Sequence, residues 1–150
     1  MGKTKAEKRL EKKFKKQSKS LNDSFSQSPI QKPSNDDNDT LVFSFRDLQD
    51  EYDFSQDCCT DQVRKDLLSS LRKLSQTTWD DLITRDKKNG GSELINKSEI
   101  KASLPSFITD DYEKLVVVRF NSQRSRLIGY RQGNVFYVLF IDVKLTLYDH

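Results

Sequence analysis

Residues 135–142 read VFYVLFID, an unbroken apolar run that ends in an aspartate. Side chains of a strand alternate between its two faces. A run that is apolar at both parities cannot lie on a sheet with one face in water. It predicts a strand that is central or covered on both sides. Two more strands precede it, Lys114–Phe120 (KLVVVRF) and Arg126–Arg131 (RLIGYR), separated by NSQRS and by the tight turn Gln132-Gly133-Asn134. Loops this short join antiparallel neighbours, so the C-terminal third predicts a meander. Leu145–Tyr148 then either adds an edge strand or folds back over the sheet.

Upstream the periodicity changes. Leu41–Phe45 (LVFSF) is β-branched and aromatic, with Leu41, Phe43 and Phe45 on one face, and predicts a strand. Thr60-Asp61 caps a helix with Val63, Leu67, Leu68, Leu71 and Leu74 at helical spacing. Thr77 or Thr78 opens a second short helix, TTWDDLITR, with Asp80 and Asp81 in the first turn, where the helix dipole favours carboxylates. DKKNGGSE is a loop broken by Asn89-Gly90-Gly91. Residues 94–108 predict a short helical turn followed by extended chain. The expected fold is α+β: a βααβββ antiparallel sheet backed by two helices.

Charge divides the chain. Residues 1–20 carry nine Lys/Arg against two Glu, net +7, whereas the remaining residues are net −4. Ala6, Leu10 and Phe14 draw a thin apolar stripe through the lysines, too narrow to hold a helix alone in water. Residues 20–40 are rich in Ser, Asn, Asp and Pro. Residues 1–40 therefore read as a disordered or partly helical basic arm with a flexible linker, and 41–150 as one folded domain. Within the arm, Lys12, Lys13, Lys15 and Lys16 are candidate phosphate contacts.

Several functions are excluded by composition. No apolar run approaches the ~20 residues of a membrane helix, and the start MGKTKAEKRLEKKFKK lacks the apolar core of a secretory signal. The two cysteines, Cys58 and Cys59, are adjacent, which argues against a disulfide scaffold and favours a reducing, cytoplasmic setting. The single histidine is His150, the last residue, so neither a zinc finger nor a Ser-His-Asp triad is expected.

The densest polar signal lies on the meander. Arg119, Arg124, Arg126 and Arg131 fall within thirteen residues, with Tyr130, Tyr137 and Tyr148 interleaved. Alternation puts Arg126, Ile128 and Tyr130 on one face and Leu127, Gly129 and Arg131 on the other. If one sheet face packs on the helices, the other can present cations and aromatics. Guanidinium groups bind phosphate bidentately and tyrosines stack on bases, a combination that suits single-stranded RNA. The alternative is that these arginines pair with the acidic body and the tyrosines belong to the core. Asp80-Asp81 and Asp110-Asp111 follow threonines and read as caps or turns. Glu99-Ile100-Lys101, with Asp86 upstream, has the spacing of metal-dependent nucleases, but that site draws its residues from strand ends and no strand is predicted there.

The order βααβββ, with the segments KLVVVRF, RLIGYR and VFYVLFID, resembles the RelE/ParE-type toxin fold over residues 41–150. The resemblance implies a bacterial toxin-antitoxin component, an mRNA interferase that cleaves RNA without metal. In that chemistry the 2′-hydroxyl attacks its own phosphate, Arg stabilises the phosphorane, and Tyr or His moves protons. Carried onto this sequence, Arg119, Arg126 and Arg131 match the strand-borne cations, and Tyr148 and His150 the C-terminal proton carriers. Arg124, Tyr130 and Tyr137 would bind the RNA. The implied partners are RNA, free or ribosome-bound, and an antitoxin protein; no cofactor, metal or membrane is implied. A non-catalytic module of the same fold, binding protein or RNA, is the alternative, and a metal-dependent nuclease a further one. The acidic body, the sparsely basic helices and the N-terminal extension depart from the family pattern.

Overall fold

The computed structural model describes residues 38–108, 112–120 and 124–149. The basic arm, including Lys12, Lys13, Lys15 and Lys16, lies outside the described residues, as do Asp110, Asp111 and His150. The fold is α+β. In chain order it runs β1 (Val42–Ser44), α1 (Asp61–Leu74), α2 (Trp79–Thr84), β2 (Ser92–Asn96), β3 (Lys114–Phe120), β4 (Ser125–Gln132) and β5 (Val135–Asp142). Among the described residues no helix is long and apolar enough to cross a membrane.

Both helices begin at threonines. The Thr60 hydroxyl oxygen accepts the Val63 N–H, and the Thr78 hydroxyl oxygen accepts the Asp81 N–H. Each satisfies an amide that the first turn leaves without a partner. Leu67 and Leu74 of α1 and Trp79 and Leu82 of α2 are buried. Leu68 and Ile83, one residue off each stripe, face solvent.

The sheet has five strands in the order β1-β5-β4-β3-β2. Two features correct the sequence reading. First, the sheet is mixed and not antiparallel, because β1 pairs in parallel with β5 (Val42 opposite Val135). The two helices carry the chain from β1 back across one face, so β1 can enter beside β5 in either sense, and its periodicity does not encode which. Second, β2 was not expected. The sequence places Ser92 and Glu93 in a loop and Leu94 onward in a helical turn, yet SELIN forms a five-residue ladder with β3. The helical turn follows it, at Lys97–Glu99.

The β4–β5 hairpin closes over Gly133-Asn134, with φ of 63° at Gly133. Positive φ at the first loop residue but not at Asn134 makes this a type II′ and not a type I′ turn. The register slips once between Ile128 and Gly129, since Ile128 pairs with Phe140 but Gly129 with Val138. The extra residue makes Leu139 and Phe140 share a face, where alternation would separate them. A Cβ at Gly129 would lie 1.9 Å from the Tyr137 carbonyl oxygen, so only glycine fits at the bulge.

Both faces of the sheet are covered, as VFYVLFID requires. On one face Val116, Val118, Leu127, Phe136, Val138 and Ile141 pack with Leu41, Leu67, Leu74, Trp79 and Leu82. On the other Leu115, Val117, Ile128, Tyr130, Leu139 and Phe140 are covered by Ile108, Leu147 and Tyr148. Of the two expectations for Leu145–Tyr148, the segment folds back and adds no strand.

Candidate functional site

The face opposite the helices does not present its cations to solvent. Arg119 on β3 stands directly opposite Arg126 on β4, and Arg126 opposite Asp142 on β5. Glu93, on β2, lies diagonal to Arg119, with its Oε1 3.5 Å from Arg119 Nη2. The result is a row of four charges across four strands, acidic at both ends and basic in the middle. Arg126 and Asp142 are buried, and the Arg119 and Glu93 side chains retain only 15% and 17% of their exposure. Two guanidinium groups placed directly opposite repel each other, so the flanking carboxylates are what makes the arrangement tolerable.

The C-terminal segment closes over this row. The Asp142 carboxylate accepts the N–H groups of Thr146 (3.1 Å) and Leu147 (3.2 Å), and the Leu147 carbonyl accepts the Lys101 N–H (2.8 Å). The turn between them holds Leu145 at φ 58°, a left-handed conformation costly for a branched side chain. Burial of Leu147 and Tyr148 offsets that cost. The Tyr148 hydroxyl donates to Glu93 Oε1 at 2.6 Å. Burial, then the Glu93 carboxylate, push the Tyr148 phenol up to about 12, with Arg126 opposing. Burial alone would raise the Glu93 carboxyl. The Tyr148 hydroxyl, Arg119 and Lys87 outweigh it and hold the group below the usual carboxylate range.

Of the five residues read as catalytic, the structure thus brings together Arg119, Arg126 and Tyr148. Arg131 is on the opposite face, as alternation requires, with its guanidinium 4.5 Å from the Trp79 ring centroid and its Nε donating to the Gly133 carbonyl at 2.7 Å. His150 lies outside the described residues. Glu93 is the residue that sequence reasoning missed. No pattern marked it in the sequence, because Ser92-Glu93-Leu94-Ile95-Asn96 does not alternate and the Gly-Gly loop lies just before it.

The residues read as RNA-binding also find neighbours within the body. Tyr130 and Tyr137, directly opposite across β4 and β5, stack on each other at 4.8 Å and 7°. Arg46 lies over the Tyr137 ring at 4.9 Å, and Tyr112 packs edge-on to Tyr130. The Tyr130 hydroxyl donates to Asp47 at 2.7 Å. The Arg46 guanidinium beside Asp47 holds that carboxyl below its usual range. Arg124 is exposed immediately before β4.

The metal-nuclease reading does not assemble. Glu99 Oε2 accepts the Asn96 N–H in a capping box, Lys101 Nζ pairs with Asp149, and Asp86 accepts the Lys88 N–H. No group of three or more His, Cys, Asp or Glu able to hold a metal occurs among the described residues. Asp80 and Asp81 occupy the first turn of α2. Cys58 is half-buried and Cys59 buried, both as free thiols, and burial pushes the Cys59 thiol up, away from thiolate chemistry.

On the helix side, a groove of about 470 Å³ runs between α2 and the β2 edge, lined by Trp79, Ile83, Leu94, Lys114, Val116 and Arg131. No protein-family model, curated protein or solved structure matches the chain.

Proposed function

We propose that the described body is a non-catalytic binding module built on a RelE-like plan, and that it recognises protein. The observation that carries this reading is the charge row. Arg119 and Arg126 are flanked by Glu93 and Asp142 and roofed by Tyr148, so their charge is spent inside the molecule. A phosphate entering there would have to displace a carboxylate from one side or the C-terminal segment from above. Tyr148 is also badly matched to proton transfer at neutral pH, since a phenol near 12 gives up or takes a proton far from its working range. Net charge outside the first twenty residues is −4, which disfavours a polyanion.

A second reading keeps the RNA chemistry. It is favoured by one observation: the C-terminal segment does bring Tyr148 beside Arg126, as a metal-free endoribonuclease of the RelE type would need. One experiment separates the two. The full chain is incubated with total bacterial RNA in EDTA and is also expressed in growing bacteria. The binding-module reading expects intact RNA and undisturbed growth. Cleavage that falls about a hundredfold or more in folded Tyr148→Phe and Arg126→Lys chains would overturn it in favour of the nuclease.

A further inference from the structure

β2 is an edge strand, and its exposed side is unusually open. The Lys97 N–H donates to the Glu113 carbonyl, which continues the β2–β3 ladder by one pair. In an antiparallel ladder hydrogen-bonded pairs alternate with non-bonded ones. Glu93 and Ile95 therefore bond to β3, and the amides and carbonyls of Ser92, Leu94 and Asn96 point out of the sheet. The Asn96 amide confirms this parity, because Glu99 Oε2 reaches around to accept it at 2.7 Å. That leaves Ser92 and Leu94 facing outward along an edge with no proline, bulge or lysine to block pairing, the usual protections of such a strand. The Leu94 side chain is 63% exposed and that of Ile83, across the groove on α2, 53% exposed.

We infer that β2 is a docking edge for an extended segment of a partner protein whose every second residue is apolar, with an Asp or Glu at one position of that same set. The inference rests on the binding-module reading and names its site. Main-chain bonds to Ser92 and Leu94 would add a sixth strand to the sheet. Every second side chain of that strand would fall on the helix side, into the apolar groove beside Ile83, Leu94 and Val116. Charge complementarity selects an acidic residue among those that face the groove. The groove carries Lys114 and Arg131, whereas its one carboxylate, Glu93, is already engaged by Tyr148, Arg119 and Lys87.

The test uses the full chain and a displayed library of random peptides about ten residues long, a length that spans β2 with a margin on each side. Retained peptides are expected to carry apolar residues at every second position with an Asp or Glu at one position of the same set, and to slow amide exchange at Ser92 and Leu94. Leu94→Glu and Lys114→Glu, both at exposed positions and each checked for unchanged thermal unfolding, are expected to weaken binding about tenfold or more. Peptides held equally well by both variants would put the site elsewhere and overturn the inference, while leaving the binding-module reading intact. A dimer of the chain that Leu94→Glu dissociates would make the occupant a second copy. Selective competition by an RNA oligonucleotide, or no retained peptide, would also overturn it. RNA cleavage by the same preparation would end the underlying reading as well.

Discussion

Asp142→Ala is expected to destabilise the protein by about 3 kcal/mol and to release the C-terminal segment. The carboxylate is buried, accepts two backbone N–H groups and stands directly opposite Arg126. Its removal leaves the buried Leu147 amide and the part-buried Thr146 amide without this acceptor, and the Arg119–Arg126 pair with a carboxylate at one end only. Chemical denaturation measures the loss. Limited proteolysis after Lys144 or faster amide exchange at Leu147 reports the release. A variant as stable as the parent would mean that the segment is held by Leu147 and Tyr148 alone.

Gly129→Ala is expected to be at least as damaging, at about 3–5 kcal/mol, or to prevent folding. A single methyl group would meet the Tyr137 carbonyl oxygen at 1.9 Å on a central strand packed on both faces, where the backbone has little room to shift. The denaturation midpoint, or the soluble yield where no folded protein is obtained, checks it. Gly129→Ala with wild-type stability would mean that the bulge can migrate along β5.

These two positions also mark the boundary of what the sequence reveals. β3 and β5 were legible to the residue, because KLVVVRF and VFYVLFID are apolar at both parities and bounded by turn residues. Both helix starts were legible from Thr60 and from the Thr77-Thr78 pair, a local hydrogen-bonding signal. β2 was not, because an edge strand of five residues with three polar members has no pattern to set it apart from a loop. Its partner is nearly twenty residues away, and only the pairing reveals it. The parallel entry of β1 and the slip at Gly129 are likewise properties of strand order and register, which periodicity does not carry.

The site was lost for the same reason. Alternation already separated Arg126 from Arg131, and the structure keeps them on opposite faces. What alternation could not supply was the acidic end of the row at Glu93, which exists only because β2 does, or the roof formed when the chain turns at Leu145. Without those, a meander rich in arginine and tyrosine reads as an open cationic surface. With them, most of its charge is internal.

A binding module with its charge row closed inside requires that Glu93 and Tyr148 hold the fold together. Their coupling free energy, from denaturation of the parent, Glu93→Gln, Tyr148→Phe and the double variant, tests this directly. A hydroxyl donating to a carboxylate at 2.6 Å predicts a coupling of about 1.5–3 kcal/mol at pH 7. The Glu93 carboxyl is held below its usual range in the folded chain, so it stays ionised where the unfolded group takes up its proton. The coupling should therefore be full above the ordinary carboxylate pKa of about 4.3 and fade as the pH falls through the lower, folded value. Single variants as stable as the parent or more so, with effects that add within about 0.5 kcal/mol, would contradict the account. That is the behaviour of residues kept for chemistry at the expense of stability.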